Sequence, residues 1–425
     1  MPILPPVPPG EAAVGWVREH LGHLSGDEPR ASRIPGGQRA ADSALASLDL
    51  TGYARRRSQV FPQASRGASR LSPYIRHGLL TLPQVWDAAE EAPAADRTKY
   101  RDELLWQEYA RHLYARLGPD LARPLRTAPP SDGTADPWDR EMACMDAVLD
   151  ELHTDGWLVN QTRMWLASQW TVRGRRDWRA GEDHFYRHLL DGSRAANRLG
   201  WQWTTGAGSA KPYGFSRWQV EKRAPSLCRD CPLSRSCPVQ DWPDSTAGPR
   251  VAPPASLAGG PTDAGPSAPV HTGEPELVWL TAESLGRSDP ALRAQPELPR
   301  VFVFDEPLLA RLRLSGKRLV FLAQALAELD TQVLLGDPVV ELAGRPLAVT
   351  YAPVPGFRRR SAELDVAALH PWPWLRRPGS GSLRSYSAWT RGHRGSSWGG
   401  GSEGPAGADS TPAGRGGTSG RGRTR

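Results

Sequence analysis

The chain reads as a mainly α protein. An all-helical region over residues 1–242 is followed, across a linker, by a small α/β unit with a parallel sheet. Three observations predict this. Apolar residues recur at helical spacing through the first part of the chain, where strand-like runs are scarce. Residues 243–275 are rich in Pro, Gly, Ala and Ser, a composition that cannot bury enough apolar surface to offset the entropy of ordering. Beyond them, short apolar and β-branched runs alternate with helical stretches, as βαβ units do.

The elements follow in order. GEAAVGWVREHLGHL (10–24) has helical periodicity, as does YRDELLWQEYARHLYARLG (100–118), where Leu104, Leu105, Tyr109 and Leu113 share one broad face. Residues 141–170 and 181–200 continue the pattern. In the α/β unit (276–378), LVWL, RVFVF, QVLLG and LAVTYA read as strands, with DEPLLARL and RLVFLAQALAEL as helices between them. Residues 379–425 are rich in Gly, Ser and Arg and read as a disordered basic tail, a solvated spacer or a weak nucleic-acid contact.

Composition narrows the function classes. The 425-residue chain carries a formal charge of +7, which suits a nucleic-acid partner, although the Arg-rich tail supplies part of the excess. The N-terminal residues lack a basic segment followed by a long apolar one, and no run approaches 18 consecutive apolar residues. The expectation is a cytoplasmic protein with no membrane association. Seventeen tryptophans are present, seven of them from Trp157 to Trp218. Such a run can be core, a stacking surface or an electron path.

The four cysteines are Cys144, Cys228, Cys231 and Cys237. The last three form C-x2-C-x5-C, with Pro232 and Pro238 adjoining. In a reducing compartment such clustering points to a metal site rather than to disulfides. Four thiolates suit a [4Fe–4S] cluster or zinc, and the ligand set alone does not separate them.

Three long stretches carry a family likeness. ASRLSPYIRHGLL (68–80), DGWLVNQTRMWLASQW (155–170) and DWRAGEDHFYRHLLDGSRAANRLGWQW (177–203) resemble, in order and spacing, the flavin-domain motifs of DNA photolyases and cryptochromes. The resemblance covers roughly residues 10–218 and implies an all-helical FAD-binding domain. Tyr53, Ser69, Arg70, Leu71 and Ser72 would hold the cofactor, the ASRLS loop taking its diphosphate, which suits hydroxyls and backbone N–H groups at a helix start. Asn160, Arg163 and Met164 would face flavin and substrate, Arg163 pairing with Asp191 in a segment that also holds Ser193. Asn197 would sit beside the reactive N5 edge, where an amide tunes the flavin without supplying a proton. Val159-Asn160-Gln161 departs from the family's His-Asn-Arg run.

The same resemblance assigns the rest of the site. Trp201 and Trp178 match the inner members of an electron-transfer chain; the outer member would fall within residues 123–139, where Trp138 is the candidate. Glu103, Trp106, Met164 and Trp203, with Asn160, match the pocket that clamps a flipped-out pyrimidine dimer. The four cysteines fall where one bacterial subgroup carries a [4Fe–4S] cluster. Residues 276–364 resemble the antenna domain, in degenerate form and permuted to follow the flavin domain; whether they hold an antenna chromophore stays open. The implied function is light-dependent repair of UV-damaged DNA by a monomer. The alternatives are a cryptochrome-like photoreceptor without repair and a non-photochemical Fe–S/FAD nucleic-acid-binding protein.

Overall fold

The computed structural model describes residues 3–132, 138–209, 211–244 and 247–392. Up to Arg229 its regular elements are helices; a small sheet of six strands follows. The strands are β1 (Val270–His271), β2 (Leu277–Leu280), β3 (Arg300–Asp305), β4 (Thr331–Gly336), β5 (Leu347–Thr350) and β6 (Ala368–His370).

The longest helix, Ala94–Leu117, organises the helical region. Of its predicted apolar face Leu104, Tyr109 and Leu113 are buried and Leu105 is half-buried; Tyr100 is buried as well, and an apolar side chain fully removed from water is worth about 1.5–3 kcal/mol. Gly118 ends it at φ +53, a conformation that a Cβ would disfavour. Near its start, buried Asp96 accepts hydrogen bonds from the backbone N–H groups of Gly52 and Ala54 at 2.9 and 2.8 Å. That carboxylate fixes the short helix Tyr53–Arg56 against the long one.

The sheet order is β1-β6-β5-β2-β3-β4. β2 to β6 are parallel, and β1 joins β6 antiparallel. Taken in chain order, the five parallel strands form a doubly wound sheet whose order reverses at β2 and β5. The β4 edge is covered by the start of the chain. Leu4 N–H donates to the Val333 carbonyl at 2.9 Å, and Ile3 pairs antiparallel with Leu334. An edge so paired is closed to strand addition from other molecules.

The helical and α/β regions share one core. Trp16, Leu21, Leu71 and Tyr74 cluster with Val278, Phe302, Leu319 and Phe321. The buried Arg76–Glu283 pair at 2.6 Å and an Arg318 N–H···O=C bond to Gly192 at 2.8 Å join the same two regions.

Two segments differ from expectation. The stretch read as a free linker docks instead along the Ala94–Leu117 helix: Leu257 is buried with Leu113 and Leu117, and Arg116 Nε donates to Thr262 Oγ1 at 2.8 Å. The stretch read as a tail is structured through residue 392. It forms the helix Tyr386–Arg391, with Leu383 and Trp389 buried. A few large apolar side chains outweigh a Gly/Ser-rich background there. Residues 393–425 of that expected tail lie outside the described residues.

Candidate functional site

The loop that precedes the helix Ser72–Arg76 brings the first predicted group together. Arg70 adopts φ +57, a left-handed conformation uncommon for a non-glycine residue. Its guanidinium lies 5.5 Å from the Trp157 ring centroid, and Trp157 Nε1–H donates to Ser72 Oγ at 3.1 Å. Ser69 Oγ accepts from the Tyr100 hydroxyl at 3.2 Å, and Tyr100 meets Tyr53 edge-on at 5.0 Å. Leu71 is buried beneath them. Ser69, Arg70, Ser72 and Tyr53 thus gather around two aromatic contacts.

The second group sits where the helices Asn160–Ser168 and Ala196–Thr205 face each other. Arg163 donates to Asp191 Oδ2 at 2.7 Å, while Asp191 Oδ1 is buried without a partner among the described residues. Buried Asn197 donates from Nδ2 to the Glu182 carbonyl at 3.2 Å. Ser193 Oγ caps the next turn, accepting from Ala195 and Ala196 N–H. Asn160 is exposed at the start of its helix, and Met164 is half-buried. A buried acceptor left over beside a paired Arg invites a ligand N–H, as a flavin ring offers, because an unmet acceptor is costly.

Trp201 and Trp178 are both buried. A third indole adjoins the first. A Cβ on Gly181 would fall 2.2 Å from Trp201 Cη2 and 2.9 Å from Trp170 Cδ1, so the two indoles meet across that glycine with no side chain between. Trp170 is 4.4 Å from half-buried Trp138, centroid to centroid. Trp170 was not singled out from sequence, where nothing distinguishes it from a core residue.

The expected lesion clamp is not an open cleft. Glu103 is held by Arg57 and Lys99, each at 3.0 Å. Trp106 is stacked face to face with Tyr386, centroids 3.9 Å apart and planes inclined by 9°. Trp203 is 42% exposed and packs against Tyr213 at 5.5 Å. One face of Trp106 is therefore occupied by the segment expected to be disordered.

All four cysteines line one small recess, with Met142, Val220 and Val239 among its walls. Burial pushes the Cys144 thiol up to about 12 and Cys228 to about 11, neighbouring thiols adding to the rise at Cys144. Ionised thiols here need a cation among them. Among the described residues, the only metal-ligand group whose atoms all lie within 4.8 Å of one another is His153, His184 and His188. Four thiols gathered at one recess suit a thiolate-bound metal centre.

The histidine trio was missed in the sequence, although the i, i+4 pair His184/His188 was its signal. His153 Nε2 and His184 Nε2 are 3.1 Å apart. Arg140 approaches His153 Nδ1 at 3.2 Å, while Lys317 and the Asp27 carboxylate flank His188 Nδ1 at 3.3 and 3.6 Å. Burial, foremost, holds His153 down to about 4 and His184 to about 3.

A second small recess lies between the two regions and is lined by Ile75, Thr81, Arg111, Glu283, Asp289 and Trp372, among others. Glu283 and Asp289 follow β2, beside the point where the sheet order reverses. Such crevices are the usual ligand position of doubly wound sheets.

Residues 100–223 match the model of the FAD binding domain of DNA photolyase. That span holds the Arg163–Asp191 pair, Asn197 and the tryptophan series. This part of the chain is thus similar to the FAD-binding domain of the photolyase family. A deoxyribodipyrimidine photo-lyase of Thermus thermophilus is 33% identical over 229 residues, 49% of this chain and 52% of that protein. One from a Synechococcus species is 34% identical over 170 residues, 35% of this chain and 34% of that protein. A bacterial class III photolyase structure from Agrobacterium tumefaciens has 26% identity, covers 45% of each chain and gives a TM-score of 0.37. The chain spans between about a third and a half of the length of the curated relatives it matches. Among the described residues no helix is long and apolar enough to cross a membrane.

Proposed function

We propose that this photolyase-like protein is a light-driven DNA-repair flavoprotein that splits UV-induced pyrimidine dimers. The observation that carries the reading is the half-buried Arg163–Asp191 pair with its buried, unmet Oδ1, together with buried Asn197, all within the family-matched span. FAD, when bound, supplies light absorption and the transferable electron. Tyr53, Ser69, Arg70, Leu71 and Ser72 bind and orient its diphosphate side. Asn160, Arg163, Asp191, Ser193 and Asn197 position its ring, and the Asn197 amide holds no acidic proton to give away. Trp201 and Trp178 supply oxidisable indoles toward the surface. Glu103, Trp106, Met164 and Trp203 receive the extruded lesion. Stacking on the indoles offsets the cost of unpairing, and the Glu103 carboxyl hydrogen-bonds the damaged base. Cys144, Cys228, Cys231 and Cys237 hold a [4Fe–4S] cluster, and the recess beside β2 and β5 is where an antenna chromophore would bind.

One observation favours a second reading. Tyr386 covers Trp106, which suits a photoreceptor of the same fold that does not repair. An anaerobic absorption spectrum, followed by illumination with a UV-damaged oligonucleotide, tests both. Flavin bands with loss of the lesion only in light support repair. Flavin that photoreduces while the lesion persists assigns the photoreceptor, and absence of flavin sinks both.

A further inference from the structure

Three of the six large apolar side chains exposed among the described residues are indoles of one short stretch: Trp203 at 42%, Trp218 at 59% and Trp242 at 53%. Contacts of their sequence neighbours link the three. Trp203 packs on Tyr213. The next residue, Gly214, has the Trp242 Cε3 atom 3.4 Å from where its Cβ would lie. Arg217, just before Trp218, donates its backbone N–H to Val239 and its guanidinium to the Ser234 carbonyl at 2.7 Å, tying the start of that helix to the segment that ends in Trp242. Lys222 Nζ lies 4.7 Å from the Trp218 ring centroid.

The surroundings are cationic. Residues 203–242 contain six Lys or Arg against three Asp or Glu. Lys211, Lys222, Arg229 and Arg235 are all exposed. Clustered exposed indoles are unfavourable in water unless a partner covers them. A partner that is both anionic and rich in flat π faces is nucleic acid. In a duplex the bases are stacked on one another and offer only edges, whereas an unpaired strand offers faces.

We propose that Trp218 and Trp242, with Lys211 and Lys222, form a stacking surface for unpaired DNA beside Trp203. Bases of the strand lie on the indole faces while the lysines neutralise phosphates. The assignment rests on exposure and charge, not on the photochemical reading above, although a strand opened at an extruded lesion would supply this ligand.

The test compares full-length wild-type protein with the double variant Trp218→Ala/Trp242→Ala, both sites being more than half exposed. Fluorescence anisotropy follows binding of a labelled oligothymidylate of about 15 nucleotides and of an undamaged duplex of equal length, over a salt series. The expected result is a wild-type preference for the single strand and a loss of about tenfold or more in the variant, with flavin content and duplex affinity unchanged. Equal single-strand affinity in the two proteins overturns the proposal, as does a wild-type preference for the duplex. Concentration-dependent dimerisation that the same substitutions abolish assigns the patch to a second copy of the chain and overturns it too. Light-dependent lesion loss, measured in parallel on the wild type, fails or succeeds independently of these outcomes.

Discussion

Tyr386 lies parallel to Trp106 at 3.9 Å, its hydroxyl donating to Asp102 Oδ1 at 2.6 Å. The contact is anchored nearby: Trp389 is buried and packs at a tilt against Tyr109, and Tyr109 donates its hydroxyl to the Leu383 carbonyl at 2.9 Å. An aromatic ring on the indole face competes with any base that stacks there. Tyr386→Ala is therefore expected to raise affinity for a thymine-dimer oligonucleotide by roughly fivefold, within the range of one lost aromatic stack. Competitive gel-shift titration reads this directly. A drop in affinity would instead make Tyr386 part of the lesion wall.

In the proposed flavoprotein, the approach of both Trp201 and Trp170 to Gly181 would offer electron transfer a branch that bypasses Trp178. From Trp170 the path reaches Trp138, half-buried and thus nearer solvent. Trp170→Phe keeps an aromatic of similar shape but one much harder to oxidise. Under constant blue light and a thiol reductant, flavin reduction is expected to slow by about tenfold, which as a barrier is about 1.4 kcal/mol. Trp178→Phe is the comparison. If only Trp178→Phe slows the reaction, the route through Trp170 carries no current.

The helical region and the α/β unit were legible because both write their burial into periodicity: Leu104, Tyr109 and Leu113 fall on the predicted face, and β2, β3, β4 and β5 coincide with the four apolar runs. The Arg163–Asp191 pair was legible only through motif likeness, since no local rule links positions 28 residues apart. The docking of 379–392 was not legible. Composition averages over a window, while Leu383 and Trp389 act through individual contacts with a distant helix. The same holds for Trp170, whose partners Trp201 and Trp138 lie far off in sequence, and for His153, which joins His184 only through packing.

The cysteine site makes a compositional prediction. Ligation needs thiolates, and burial raises Cys144 and Cys228 well above neutrality when no cation is present. Anaerobically purified protein is expected to carry iron and acid-labile sulfide, with Cys144→Ser losing both. Because ligation contributes to folding, the variant should also melt lower than wild type. Zinc without sulfide in the wild type would assign a mononuclear site, and neither metal would remove the cluster from the proposed function.

Glu108 gives the last prediction. It is fully buried in the Ala94–Leu117 helix, and Oε1 accepts the Arg376 N–H at 2.9 Å while Oε2 has no hydrogen bond among the described residues. Arg111 is 3.8 Å from Oε2, and His112 is 3.9 Å from Oε1. Burial pushes the carboxyl up to about 7, from an ordinary 4.5, against the pull of Arg111 and the backbone N–H groups of Arg376 and Leu375. The folded state thus holds this proton more tightly than the unfolded state. Its contribution to stability is full below the unfolded value and is lost as pH rises through the folded one. From pH 4.5 to 7 the Glu108 term should lower the stability of the wild type, then level off. Glu108→Gln cannot ionise and should flatten that part of the profile. Urea unfolding midpoints at pH 5 and pH 8 decide it: a wild-type difference that survives unchanged in Glu108→Gln would assign the slope to another group.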